Sequence, residues 1–263
     1  WSGRGERLMG MPITASSIHL GSGTGHILLE PNADLTATTG GITIDSAGRY
    51  YQRDADVVAP GDNTITSNGA EIDGALLRSN TGDVRLTSGS NIRLYDAYSR
   101  NPVIWAKEQI TIASTNSHFE NRGFIDGGRA VSISSRNNLH NEYVALIKSR
   151  SNRVWVQSTH GAIYNRYNST VDAKTNAAAN AAAHIFNHGG IMHARTGDLT
   201  LSAGAAIENH KWSTVRGRLE AGRNLSAQAG TSHFWHHNSD MIAGGNMRIG
   251  STNTHEIGRH TSE

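Results

Sequence analysis

Residues 185–210 read IFNHGGIMHARTGDLTLSAGAAIENH. Three short apolar sites occur in order: Ile185-Phe186-Asn187, Ile191 and Leu199-Thr200-Leu201. Ile207-Glu208-Asn209 then returns to the first site 22 residues on. Apolar, polar, apolar is the alternation of a strand with one buried face. Three such strands, separated by turn residues, describe one coil of a solenoid.

The same two signatures extend outward in both directions. Apolar-x-apolar recurs as Val84-Arg85-Leu86, Ile110-Thr111-Ile112, Val131-Ser132-Ile133, Val154-Trp155-Val156, Leu225-Ser226-Ala227 and Met247-Arg248-Ile249. Apolar-x-Asn recurs as Phe119-Glu120-Asn121, Leu139-His140-Asn141 and Ile163-Tyr164-Asn165, with Asn-to-Asn steps of 20, 24, 22 and 22 through Asn209. A third apolar site follows at Ile125, Leu146, Ile191 and Leu219, and Ile104 and Ile242 take the same place in their coils. The expectation is an all-β, right-handed parallel β-helix with three short strands per coil of about 22 residues. One coil buries too few apolar groups, at roughly 1.5–3 kcal/mol each, to offset the ordering of its backbone. Coils must therefore stack. Stacking places Asn121, Asn141, Asn165, Asn187 and Asn209 in one column. A carboxamide both donates and accepts, so a column of them satisfies itself.

Composition agrees. The chain has 29 Gly, 4 Pro and no Cys among 263 residues, and only 17% charged residues, which feeds turns and starves helices. A formal net charge of +2 gives no ground for nucleic-acid binding. No stretch approaches the ~18–20 apolar residues of a membrane helix, so no membrane insertion is expected. The absence of Cys removes disulfides and thiolate metal sites. The region 1–80 reads as irregular coils with an inserted loop at about 45–62, and 81–263 as regular repeats. Smaller insertions fall at 95–102 and 211–216. The Ala-rich run 172–183 reads as a helix or a small-residue strand, and the 22-residue step across it favours the strand.

The strings GDLTLSAG (197–204), IENHK (207–211), LEAGRNLSAQAG (219–230) and MIAGGNMRIG (241–250) resemble the haemagglutinin repeats of filamentous haemagglutinin-like adhesins and contact-dependent growth inhibition effectors. The resemblance covers about 82–258 well and 13–80 weakly. It implies an extracellular filament at a Gram-negative cell surface, exported unfolded through an outer-membrane partner, with a cell-surface protein or glycan as receptor.

Candidate contact residues are the aromatics and arginines in or beside the insertions: Tyr50, Tyr51, Arg53, Tyr95, Tyr98, Arg100 and Trp105. Tyr, Trp and Arg are enriched at interface centres. The alternative is that loop aromatics fold back on the coil edge, in an inert stalk. A carbohydrate-active enzyme on this fold would need carboxylates aligned on adjacent coils. Glu120 precedes its ladder Asn and Glu142 follows its own, so these do not align, and no catalytic residue is assigned. GSGTG (21–25) lacks the Lys-Ser/Thr tail of a phosphate loop. His188 and His210 should stack, but the sequence places no acidic ligand beside them and the step toward His236 or His237 slips. No metal and no cofactor are expected.

Overall fold

In a computed structural model, residues 6–8, 11–95, 101–252 and 254–257 are described. They form three parallel sheets of 12, 11 and 11 strands, in which each strand pairs with the third strand after it in the chain. We call these sheets A, B and C. Sheet A begins each coil and carries the apolar-x-Asn strands, such as Ile163–Arg166 and Ile185–His188. Sheet B carries strands such as Leu146–Ser149, and sheet C those such as Leu199–Ala203. Ile163, Ile185 and Ile207 are direct partners in register, as are Val131 and Val154. The chain is thus a β-helix. Among the described residues no helix is long and apolar enough to cross a membrane.

The core is a bundle of columns. Ile42, Ile44, Val84, Leu86, Ile110, Ile112, Val131 and Ile133 on sheet C are all inaccessible to solvent. The Ala-rich run continues this column as a strand, Ala177–Ala181, between Val154–Ser158 and Leu199–Ala203. A buried serine column closes the end of sheet C from Ser22 through Ser46, Ser67, Ser88, Ser114 and Ser135 to Ser158, and alanine takes over at Ala181, Ala203 and Ala229. Several of its hydroxyls donate to turn carbonyls, as Ser114 does to Ser90 at 2.7 Å.

Two expectations are corrected. Residues 45–62 are no inserted loop: they continue the ladder through Ile42–Ser46, Tyr50–Arg53 and Val57–Ala59. The template failed there because the variants are chemical rather than geometric. Tyr50 stands in the aliphatic place, Gln52 in the Asn place, and Asn63 opens the next sheet C strand. Gln52 donates to Ala55 and Leu76 carbonyls at 2.7 and 2.9 Å, much as the ladder asparagines donate to backbone. In sheet B the inward residues are Ile147, Met192 and Met241, and Leu146, Ile191 and Ile242 point outward. Where two apolar residues adjoin, parity is set only by the strand's partners, and a shift of one residue exchanges the faces.

Candidate functional site

The asparagine ladder sets the platform. Asn121 donates to Asn141 at 2.8 Å, Asn141 to Asn165 at 2.8 Å, Asn165 to Asn187 at 2.7 Å and Asn187 to Asn209 at 2.7 Å. The second amide hydrogens of Asn165 and Asn187 reach the carbonyls of Ile191 and Arg218 at 3.0 and 3.2 Å. All five side chains are fully buried. They fix where sheet A ends and the corner toward sheet B begins.

That corner takes a left-handed residue in most coils, though not at Arg122-Gly123. Elsewhere it is supplied by Asn32, Asp54, Gly74, Gly189 and Asn238, residues for which positive φ costs little. In two coils bulky side chains adopt it: Tyr143 and Val144 at φ 60° and 66°, and Tyr167 at 58° beside Asn168 at 62°. An L-residue with a Cβ loses about 1–2 kcal/mol there, and a β-branched residue is an outlier. Strain of this kind gathers at sites that do something other than fold.

The strained residues form one surface. Tyr143 and Val144 are 52% and 61% exposed, and Trp212, from the 211–216 insertion, is 42% exposed. The Tyr143 and Tyr167 rings stack at 4.8 Å, and Trp212 meets Tyr167 edge-on at 5.0 Å. Trp212 reaches across the intervening coil because that coil carries Gly189-Gly190: a Cβ on Gly189 would stand 2.9 Å from the Trp212 Cβ. Bonds between Trp212 and Val215, at 2.8 and 3.0 Å, close the insertion into a tight antiparallel turn. The Arg122 guanidinium lies 4.7 Å over the Tyr143 ring, and that of Arg166 lies 4.6 and 5.3 Å over Tyr164 and Tyr167. On the adjoining face of sheet A the rings of His140, Tyr164 and Phe186 stack in turn at 4.6 and 5.1 Å.

Glu142 anchors the arginine. Its side chain is 8% exposed, and it accepts hydrogen bonds from both Nε and Nη2 of Arg166 and lies 3.1 Å from His140 Nδ1. Burial alone would raise its pKa; the bonds to His140 and Arg166 outweigh that and hold it below the usual glutamate value. A depressed carboxylate stabilises the fold fully above its ordinary value of 4.5, and that contribution is lost as pH falls through the folded value. Glu142→Gln is therefore expected to lower unfolding free energy at pH 7 by about 1–3 kcal/mol and to flatten the fall in stability as pH drops below the ordinary glutamate value. Urea melts from pH 7 down through that value measure both, and parallel acid limbs in the two proteins would refute the assignment.

The contact residues expected from sequence are dispersed. Tyr50 is fully buried, its hydroxyl bonded to Gln52 at 2.9 Å, and burial pushes its phenol up. It is a core residue and no contact residue. Tyr51, Arg53 and Tyr95 do meet on the outer face of sheet A. Arg53 lies 5.4 Å over the Tyr51 ring and pairs with Glu71 at 3.4 Å. The Tyr95 phenol is raised first by burial, then by its hydrogen bond to Glu71. Trp105 stands on sheet B, covered by Arg78 and Arg150 at 4.8 and 5.9 Å from its ring. Tyr98 and Arg100 lie outside the described residues. Sequence reasoning misses Tyr143, Tyr167 and Trp212, although each follows its ladder asparagine by two or three residues. Compared with protein-family models, with curated proteins and with solved structures, the chain has no match.

Proposed function

We propose that this chain is a segment of an extracellular filament, of the adhesin or contact-dependent inhibition type that its repeats resemble, and that it binds a surface protein on a target cell. The carrying observation is one corner surface of strained Tyr143, Val144 and half-buried Tyr167 with exposed Trp212, and with Arg122 and Arg166 on its rings. A fold that needs only asparagine or glycine there gains nothing from tyrosine and valine, whereas Tyr, Trp and Arg are what protein interfaces concentrate. A protein partner is favoured over a glycan because sugars pack on free ring faces. Here Tyr143 has Tyr167 stacked on it and Arg122 over it, and Tyr164 stands between His140 and Phe186. The filament would be carried to the surface by an outer-membrane partner, as the resemblance implies.

The combined change Tyr143→Asn, Tyr167→Asn and Trp212→Ser tests this, since asparagine suits the left-handed corner. Binding of the purified chain to whole target cells is expected to fall at least tenfold while the melting temperature stays within a few degrees. Unchanged cell binding would remove the corner from the function, and a parent chain that does not bind cells would be an inert stalk. New reducing ends on incubation with extracellular polysaccharide would instead make the chain an enzyme.

A further inference from the structure

Four polar side chains on the outer face of sheet A converge where the sequence promised only a histidine pair. They belong to three consecutive strands, Ile185–His188, Ile207–His210 and His233–His237. The acid that the sequence does not place is Glu208, which alternation turns outward from the same strand as His210. His188 Nε2 lies 3.3 Å from Glu208 Oε2, and His210 Nε2 lies 3.9 Å from the same oxygen. His233 Nε2 lies 3.6 Å from the other oxygen, Oε1. The ligand-capable atoms of His188, Glu208 and His210 all fall within 4.8 Å of one another.

We propose that His188, Glu208 and His210 bind one divalent transition-metal ion of the zinc type, with His233 within reach as a fourth ligand. Bonds of about 2.0–2.1 Å at tetrahedral angles put ligand atoms about 3.3 Å apart. The His188–Glu208 pair already has that spacing, and the His210 contact at 3.9 Å closes by about 0.6 Å. The ring of His210 is set for it, whereas the Nε2–H that His188 donates to Glu208 at 3.3 Å leaves as a proton when the ion binds. His210 Nδ1 faces the Lys211 carbonyl at 2.9 Å. A carbonyl only accepts, so Nδ1 carries the proton and the Nε2 lone pair points at the cluster. His233 Nδ1 bonds Ser232 Oγ at 2.9 Å, which orients the ring with Nε2 toward Glu208. Such outer bonds are the usual means of aiming a metal-binding imidazole. The walls are aromatic: Phe186 meets His188 edge-on at 5.2 Å, and Trp235 lies 5.1 Å from the His210 ring. The imidazoles of His188 and His210 stand 3.7 Å apart, fixed by strands in direct register. An ion bound there joins successive coils, so binding is coupled to the stability of the stack.

Calorimetric titration of the chelator-treated chain with zinc, and separately nickel, at pH 7.5 is the test. Saturable binding of one ion per chain is expected, with a rise in melting temperature. His188→Asn, His210→Asn and Glu208→Gln should each weaken binding at least tenfold, and His160→Asn, exposed on another part of the chain, should leave it unchanged. In the unmutated chain, zinc should protect His188 and His210, but not His160, from diethyl pyrocarbonate. Lack of saturable binding would overturn the proposal. So would equal affinity in the Glu208→Gln and parent chains, or a footprint in which His188 and His210 stay reactive.

Discussion

Gly128→Ala is expected to remove about 3 kcal/mol or more of folding stability, against a change within about 0.5 kcal/mol for Gly23→Ala. Gly128 turns the chain between Phe124–Gly127 of sheet B and Ala130–Ser135 of sheet C. An ideal Cβ there would overlap the carbonyl oxygen of Lys107 in the preceding coil and stand 2.7 Å from its carbon. The obstacle is contact rather than backbone dihedral, since Gly128 is not in the left-handed region. The neighbouring coil cannot retreat. Gly128 N bonds to Ala106 O at 2.8 Å and Arg129 N to Glu108 O at 2.7 Å. Opening the ~4.8 Å strand spacing at this corner breaks those bonds and their neighbours together. A Cβ on Gly23 meets nothing within 4 Å. Urea unfolding of the two variants, followed by far-ultraviolet circular dichroism, gives the comparison. Equal stabilities would show that the coils can part at a corner without loss.

Asn187→Leu is expected to cost about 3–4 kcal/mol, from two or three buried polar groups left without partners at about 1–3 kcal/mol each. Its oxygen accepts from Asn165, and its amide donates to Asn209 and to the Arg218 carbonyl. Leucine supplies none of this. Asn165 keeps its bond to Ile191, but the Asn209 oxygen and the Arg218 carbonyl become orphans inside the core. Asn121→Leu should cost somewhat less, about 2–3 kcal/mol, by stranding the Asn141 oxygen and the Gly123 N–H, whose bond Asn121 accepts at 3.0 Å. Asn121 ends the ladder, and its partner in the preceding coil is already a leucine, Leu94. Unfolding free energies from urea titration separate the two. A neutral Asn187→Leu, or a larger loss at Asn121, would mean that the carboxamides do not act as a chain.

The parts of the fold legible in the sequence are those in which a residue type repeats because its neighbour one coil away repeats. Ile163, Ile185 and Ile207 recur because each must cover the next, and Asn165, Asn187 and Asn209 because each needs the next as a partner. The same logic hid residues 45–62, where the work is done by Tyr50, Gln52 and Asn63 in place of the usual residues. It also hid the serine column, because serine is common in turns and carries no apolar signal.

Outward positions follow no such rule, and there the sequence is nearly silent. Tyr50 and Tyr51 are adjacent and chemically alike, yet one is core and the other surface. The candidate corner joins residues from three coils, across a coil whose glycines leave the space that Trp212 fills.

The amino-acid pattern alone therefore determined the β-helix, its period and its asparagine ladder, because burial repeats along the rod and leaves a periodic mark. Only the tertiary structure decided that Glu208 faces the imidazoles of His188 and His210 and that Tyr143, Tyr167 and Trp212 share a surface. Those meetings depend on strand parity and on the exact length of each corner, which a period of about 22 residues does not specify.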